Sequence, residues 1–217
     1  MTTYYTRKTP DYSPLVVHFT KEPDRVMVGG VHIGKTHPLF AYRGKPAIER
    51  LINILESKTI YASPMPFLPG NREAVCFTEC IWDALIGHAD RYSPYGVVFS
   101  KRLIFEKGGG PALYIRGDIQ KLTQQNIPTE VVPFLAPFDP DGVLNPPTKL
   151  DWLHEREWRL PTSLTFNFND VEYVIVESTQ DANKVIEHIG AQHVPRHRFI
   201  AMDIYRTIQK AWSTHST

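Results

Sequence analysis

The chain has few of the features that mark secreted or membrane proteins. Of its 217 residues only Cys76 and Cys80 are cysteines, too few for a disulfide framework. No run of about 18 apolar residues is present, which excludes a transmembrane helix of the usual kind, and residues 1–14 lack the apolar stretch of a signal peptide. We therefore expect a cytoplasmic protein with no membrane partner.

An excess of one charge is also absent. The formal net charge at pH 7 is +1, so the chain as a whole carries no electrostatic footprint for bulk nucleic-acid or membrane binding, although a local basic patch remains compatible with it. Hydrophobic residues make up 42% and charged residues 22%, as in an ordinary globular protein. The length and the lack of a low-complexity linker favour a single domain over residues 1–217.

Hydrophobic periodicity predicts strands that come in runs and outnumber the helices, which favours an α+β fold over regular alternation. The predicted strands are residues 15–19, 59–63, 74–77, 96–100, 111–115, 171–176 and 199–204. The predicted helices are residues 47–57, 79–89 with Thr78 as the N-cap, 102–107, 119–126, 181–189 and 205–212. Residues 25–33 are predicted to form a hairpin about Gly29 and Gly30, and the proline-rich residues 128–147 are predicted to be irregular.

Residues 29–36 (GGVHIGKT) match the phosphate-binding pattern G-x-x-x-x-G-K-[ST]. That pattern works only where a long helix begins at the lysine. Here Pro38 follows almost at once, and a proline inside a helix costs roughly 3 kcal/mol. A nucleotide-binding protein using Lys35 and Thr36 is therefore a less favoured alternative.

Histidine and cysteine offer two further candidate sites. His188, His193 and His197 are separated by Gly190 and Pro195, so one helix cannot align them, and we expect no metal site. The two cysteines are best interpreted as buried thiols.

Residues 154–161 (HEREWRLP) concentrate the charged residues that suggest chemistry. In an extended chain, Glu155, Glu157 and Arg159 would line one face, because side chains alternate along a strand. A carboxylate fixed beside a positive charge can hold a substrate hydroxyl and stabilise a developing cation. Taken alone, the same pattern is typical of a charged, solvated strand face.

Other segments give this stretch a context. His18-Phe19-Thr20 ends the first strand, residues 51–63 (LINILESKTIYAS) join a helix to a strand, and residues 75–79 (VCFTE) follow. With Tyr92, Tyr95 and Gly96 between them and the final EREWR, this order resembles the ADP-ribosyltransferase superfamily. The likeness is closest to its DNA-modifying toxins and to abortive-infection proteins. Lys58 stands where many relatives have glycine, and the hairpin insertion is a second departure.

The resemblance covers residues 15–161 and implies an α+β fold with a split mixed β-sheet core and flanking helices. Residues 171–217 would then be a sheet-completing, βαβ-like extension. The implied function is an NAD-dependent ADP-ribosyltransferase of the toxin or antiviral-defence type, which modifies a nucleic-acid or protein acceptor and releases nicotinamide. The alternative is a non-catalytic binding or antitoxin module of the same fold. An antitoxin or regulatory partner is compatible with either.

The resemblance also implies roles for individual residues, with NAD as the substrate and no metal. Glu157 would be the catalytic carboxylate, and Glu155 would position or deprotonate the acceptor. Arg159 could pair with either glutamate. The implied NAD-binding residues are His18, Thr20, Tyr61, Phe77, Thr78 and Tyr95, with Tyr92 as a further stacking candidate.

Overall fold

The computed structural model describes residues 12–22, 37–42, 44–65, 68, 72–80, 82–123, 127–144, 146 and 148–213. The predicted hairpin about Gly29 and Gly30 and the phosphate-loop-like residues 29–36 lie outside this part of the chain. Among the described residues, no helix combines the length and apolar character needed to cross a bilayer.

The described strands are short, and the helices have between six and twelve residues. The strands are β1 (Leu15–Phe19), β2 (Thr59–Ile60), β3 (Ser63–Pro64), β4 (Glu73–Glu79), β5 (Gly96–Ser100), β6 (Gly110–Pro111), β7 (Leu113–Arg116), β8 (Leu135–Phe138), β9 (Glu157–Leu160), β10 (Leu164–Thr165), β11 (Tyr173–Val176) and β12 (Phe199–Ala201). The helices are α1 (Ala47–Ser57), α2 (Trp82–Arg91), α3 (Lys101–Glu106), α4 (Gly117–Thr123), α5 (Thr179–Ile189) and α6 (Met202–Ser213). Turns of 3-10 helix occur at Pro38–Tyr42, Val132–Phe134, Leu153–Glu155, Phe168–Asp170 and Arg196–Arg198.

One mixed sheet organises the fold, in the order β12-β11-β5-β1-β4-β9-β6, with β3 also paired to β4. The β11–β12 pair is parallel and joined through α5, whereas β11–β5, β1–β5, β1–β4, β4–β9 and β6–β9 are antiparallel. The predicted α+β class is confirmed, and the C-terminal segment has the βαβ-like arrangement expected of it. The split sheet specific to ADP-ribosyltransferases, and the division at residue 161, stay predictions.

Each face of the sheet is covered by its own helices. On one face, Val16 and Phe77 pack in a cluster with Leu51 and Leu55 of α1 and with α5. We call this the α1 face. Its helix was recognisable because Leu51, Ile52 and Leu55 recur at helical spacing and are buried.

On the opposite face, Val17 and Val98 pack with Leu85 of α2 and Met202 of α6. We call this the α2 face. Because alternate residues of a strand point to opposite faces, membership of these two clusters assigns a face to every side chain of β1, β4 and β9.

Some of the sequence-based boundaries were wrong. Thr78 does not cap a helix, because β4 continues to Glu79, where it still pairs with Val16, and α2 begins only at Trp82. The supposedly irregular residues 128–147 contain β8, which pairs in parallel with β7. The last helix begins at Met202 rather than at residue 205, because the Met202 side chain is fully buried against the α2 face.

The opening of β9 also differs from the prediction. Leu153–Glu155 forms a 3-10 turn, and Arg156 has a left-handed φ of 44°. A non-glycine residue with positive φ breaks the extended run. The strand therefore begins at Glu157, and Glu155 does not share the strand face of Glu157 and Arg159.

Candidate active site

The sheet brings together three of the segments that carry the sequence resemblance, those that contain His18, Thr78 and Glu157. They form β1, β4 and β9, three neighbouring strands. In the register, Val17 lies opposite Thr78, and Thr78 lies opposite Glu157. Segments separated by more than fifty residues in the sequence thus form one continuous strip of the sheet.

Glu157 and Arg159 share one face of β9, as strand alternation predicts, and they form a bidentate ion pair. The guanidinium donates from Nε to Oε1 at 2.9 Å and from Nη2 to Oε2 at 2.7 Å. The Arg159 side chain is fully buried and that of Glu157 is 11% exposed. Burial by itself lowers the pKa of Arg159, but the hydrogen bonds and charge of Glu157 outweigh it and leave the pKa above its ordinary value. Arg159 therefore stays cationic.

The third guanidinium nitrogen holds Arg159 in place. Its Nη1 donates to the carbonyl oxygens of Pro133, at 3.2 Å, and Leu135, at 2.6 Å. Buried polar groups must be hydrogen-bonded to avoid a large desolvation cost. Arg159 satisfies this requirement for two backbone carbonyls and one carboxylate, and so fixes Glu157 against the segment that leads into β8.

Glu155 lies in the turn before β9 and binds the end of α2. Its Oε1 accepts a hydrogen bond from the Tyr92 hydroxyl and another from Arg91 Nη1 at 3.1 Å. The Glu155 side chain is only 12% exposed. Burial and the neighbouring Glu155 carboxylate raise the pKa of Tyr92, so its hydroxyl keeps its proton and remains a donor.

His18 lies where the pairing of β1 with β4 stops. That ladder has two residue pairs and ends at Val17–Thr78, whereas β1 pairs with β5 over five. His18 Nδ1 is 2.9 Å from the carbonyl oxygen of Cys76. A carbonyl only accepts, so Nδ1 carries the proton and Nε2 is left as an acceptor. Burial lowers the pKa of His18 to about 4, and the imidazole is neutral at physiological pH.

Cys76 connects His18 to Glu157. Its carbonyl receives the His18 hydrogen bond, and burial followed by the nearby Glu157 carboxylate raises the pKa of its thiol. The side chains of His18 and Glu157 nevertheless lie on different faces. Strand alternation places Glu157 on the α2 face with Cys76, whereas the His18 ring contacts Phe77 edge-on, 6.0 Å between centroids, on the α1 face.

The remaining predicted NAD-binding residues are largely engaged within the fold. Phe77 is 1% exposed and belongs to the core of the α1 face. Thr78 is buried beside Glu157. The Thr20 hydroxyl lies 3.0 Å from the carbonyl oxygen of Ala47 and 3.1 Å from that of Tyr95, so it bridges β1 to α1 and to the start of β5.

Two tyrosines complete the predicted set. The Tyr95 hydroxyl donates to Asp181 of α5 at 3.2 Å, on the α1 face. Tyr61 is half-buried, with its ring 6.3 Å from that of Tyr42. Neither tyrosine is in contact with Glu157 in the described part of the chain. The structure therefore gathers Thr78 and Glu157, links His18 to them through Cys76, and leaves Tyr61 and Tyr95 apart.

Sequence reasoning missed the importance of the end of α2. The Lys21 ammonium lies 5.1 Å from the centroid of the Tyr92 ring, which itself binds Glu155. The available signal was the spacing of Leu85, Ala89 and Tyr92, which recur every three or four residues and so face the sheet together. Beside Tyr92 lies a groove of about 380 Å³, also lined by Ser93, Glu177 and Arg206.

The candidate metal ligands and thiols are not assembled for metal binding. Among the described residues, no three His, Cys, Asp or Glu side chains form a group able to hold a metal ion. His188 pairs with Glu56 at 3.2 Å, and His193 stacks on Phe168 with 4.6 Å between ring centroids. Burial raises the pKa of Cys80 to about 11, as expected for an inert thiol.

In comparisons with known proteins, the chain matches no protein-family model, no curated protein and no solved structure.

Proposed function

We propose that the protein is an NAD-dependent ADP-ribosyltransferase of the toxin or phage-defence type, with a nucleic-acid or protein acceptor. The observation that carries the proposal is the adjacency of β1, β4 and β9 in the sheet. These strands hold His18, Thr78 and Glu157, which the sequence resemblance requires to act together. A chance match of short motifs would not need to produce three neighbouring strands.

Glu157 has the properties that cleavage of the nicotinamide–ribose bond requires. The transition state for breaking such a bond resembles an oxocarbenium ion, as in glycoside hydrolysis. A carboxylate held by Arg159 is already oriented and does not reorganise as charge develops. Each carboxylate oxygen has a second lone pair, so Glu157 can accept a hydrogen bond from the ribose 2′-hydroxyl while Arg159 remains bound.

His18 and Lys21 would support substrate binding from the β1 side of β4, whereas Glu157 lies on the β9 side. The bare Nε2 of His18 accepts a hydrogen bond, as a ribose hydroxyl would offer. Lys21 lies close enough for its charge to lower the His18 pKa further, so it would also attract a pyrophosphate. Because His18 and Glu157 approach β4 from opposite faces, NAD would lie across the point where β1 and β4 stop pairing.

A second candidate is a non-catalytic binding module, such as an antitoxin. It is favoured by the engagement of both Glu157 oxygens with a fully buried arginine and by the placement of His18 on the opposite face. In this case the same residues would stabilise the sheet and the protein would act through a partner.

An NAD titration followed by thermal unfolding, with nicotinamide release measured in parallel, distinguishes the candidates. Ligand at 100 times its dissociation constant stabilises the folded state by about 2.7 kcal/mol. For the enzyme we expect NAD to raise the melting temperature and nicotinamide to be released. Glu157→Gln should retain NAD binding but lose release by about 100-fold or more.

The matched control is Glu187→Gln, which changes an exposed glutamate on α5 and should leave release unchanged. Glu157→Asp provides a second variant that keeps the charge if the amide impairs folding. NAD binding without release by the wild type would favour the non-catalytic module. No binding at all would overturn the ADP-ribosyltransferase proposal.

A further inference from the structure

We infer that Glu155 is a positioning residue that anchors the turn before β9 to the end of α2 and thereby fixes Glu157, rather than a base that acts on the acceptor. The inference rests on the proposed function and refines it. Both glutamates of the Glu-x-Glu pattern then serve one carboxylate, with Glu157 facing the substrate and Glu155 holding its strand.

The backbone between the two glutamates explains why an anchor is needed. Arg156 adopts φ 44°, a left-handed conformation that a residue with a side chain enters only at a cost. This residue sets the direction in which β9 starts. Contacts on either side must therefore hold it, and Glu155 immediately precedes it.

Glu155 is bound to a rigid part of the fold. The Tyr92 ring stacks on Phe19 of β1, with 6.2 Å between centroids, and packs in the cluster of the α2 face. Its hydroxyl and Arg91 Nη1 both donate to Oε1 of Glu155. Tyr92 thus ties the turn before β9 to both α2 and β1.

Arg159 provides the matching hold on the other side of Glu157. It binds the carboxylate directly and attaches to the carbonyls of Pro133 and Leu135. Glu157 is consequently fixed from two directions, through α2 by Glu155 and through the segment before β8 by Arg159. A general base needs a carboxylate oxygen that reaches a substrate proton. The two hydrogen bonds that Oε1 of Glu155 accepts both come from the end of α2, so this oxygen holds the turn before β9.

Glutamine at position 155 separates the two roles. Its amide oxygen still accepts hydrogen bonds from Tyr92 and Arg91 but has no basicity to take a proton. We expect Glu155→Gln to retain most of the wild-type kcat for nicotinamide release and for acceptor modification. Glu155→Ala should lower both by at least ~10-fold, because a small displacement of Glu157 is costly, with the KM for NAD changing less. Tyr92→Phe should fall between them.

If Glu155→Gln is as inactive in acceptor modification as Glu155→Ala, while nicotinamide release is preserved in both, Glu155 is a base and the inference is overturned. Urea unfolding provides a test that needs no activity. If Glu155 and Tyr92 are coupled, the double variant Glu155→Ala/Tyr92→Phe should lose less free energy of unfolding than the two single variants lose together. Purely additive losses would overturn the anchor even if NAD is cleaved. A wild type that releases no nicotinamide but shows the coupling would refute the proposed enzyme and support the anchor.

Discussion

Arg159 and Glu157 form a bidentate ion pair inside the sheet, with 2.9 Å between Nε and Oε1 and 2.7 Å between Nη2 and Oε2. The same guanidinium binds the carbonyl oxygens of Pro133 and Leu135. One fully buried side chain therefore joins β9 to the segment that leads into β8 and determines where the candidate catalytic carboxylate lies.

Loss of the Arg159 guanidinium should be strongly destabilising. Arg159→Met leaves a buried carboxylate and two buried carbonyls without their donor, and breaking a buried pair from one side costs roughly 3–5 kcal/mol. The measurement is the free energy of unfolding in urea. Arg102→Ala is the control, because Arg102 is exposed and pairs with Glu106 one helical turn away, so stability should not change measurably. Equal stability of Arg159→Met and wild type would contradict the role given to the pair.

The lowered pKa of His18 should make the stability of the protein depend on pH in a defined window. Its pKa in the folded protein is about 4, below the ordinary value of 6.5. Between these values the unfolded chain binds a proton that the folded chain does not, so stability falls as pH decreases from 6.5 to 4 and levels off below that. The loss attributable to His18 is at most about 3 kcal/mol.

His18→Asn isolates this contribution. The asparagine amide can still donate to the Cys76 carbonyl but does not titrate. The quantity to measure is the difference in unfolding free energy between wild type and variant at a series of pH values. We expect the wild type to lose stability relative to the variant as the pH falls from 6.5 to about 4. A difference that is constant with pH would mean that folding does not lower the pKa of His18.

Replacing glycine by alanine should change the stability of the protein in opposite directions at two positions. A Cβ on Gly109 would lie 2.6 Å from Ile104 Cγ2 and 2.9 Å from the carbonyl oxygen of Arg159, so Gly109→Ala must displace backbone next to the site. Overpacking of this kind costs about 1–3 kcal/mol. A Cβ on Gly87, in the exposed interior of α2, meets nothing within 4 Å, and Gly87→Ala should stabilise by roughly 0.5–1 kcal/mol. Thermal unfolding checks both: relative to wild type, Gly109→Ala should lower the melting temperature and Gly87→Ala should raise it. The reverse order would contradict the packing described at the two glycines.

Both thiols should resist labelling in the folded protein. Burial raises the pKa of Cys80 to about 11, and burial together with Glu157 raises that of Cys76. Since the thiolate is the reactive form, alkylation by iodoacetamide at neutral pH should be slow in the native state and fast for both residues in concentrated urea. Rapid native labelling of Cys76 would show that its surroundings are more open than this structure has them.

Helices with a regular apolar face were predictable because the signal is local. The spacing of Leu51, Ile52 and Leu55 placed α1 correctly, and all three side chains are buried. Strand β1 was likewise located at residues 15–19. The end of β4 was not, because its continuation to Glu79 depends on pairing with Val16, more than sixty residues away in the sequence.

Hydrophobic periods of 3.6 and 2 residues were enough to predict the α+β class, the helices with amphipathic spacing, and the sharing of one face by Glu157 and Arg159. Long-range contacts were needed to show that Glu155 lies outside the strand and binds Tyr92, that the Cys76 carbonyl accepts a hydrogen bond from His18, and that His18 and Glu157 lie on opposite faces. Those outcomes depend on the left-handed turn at Arg156 and on which strands become neighbours, and neither is encoded in a local hydrophobic pattern.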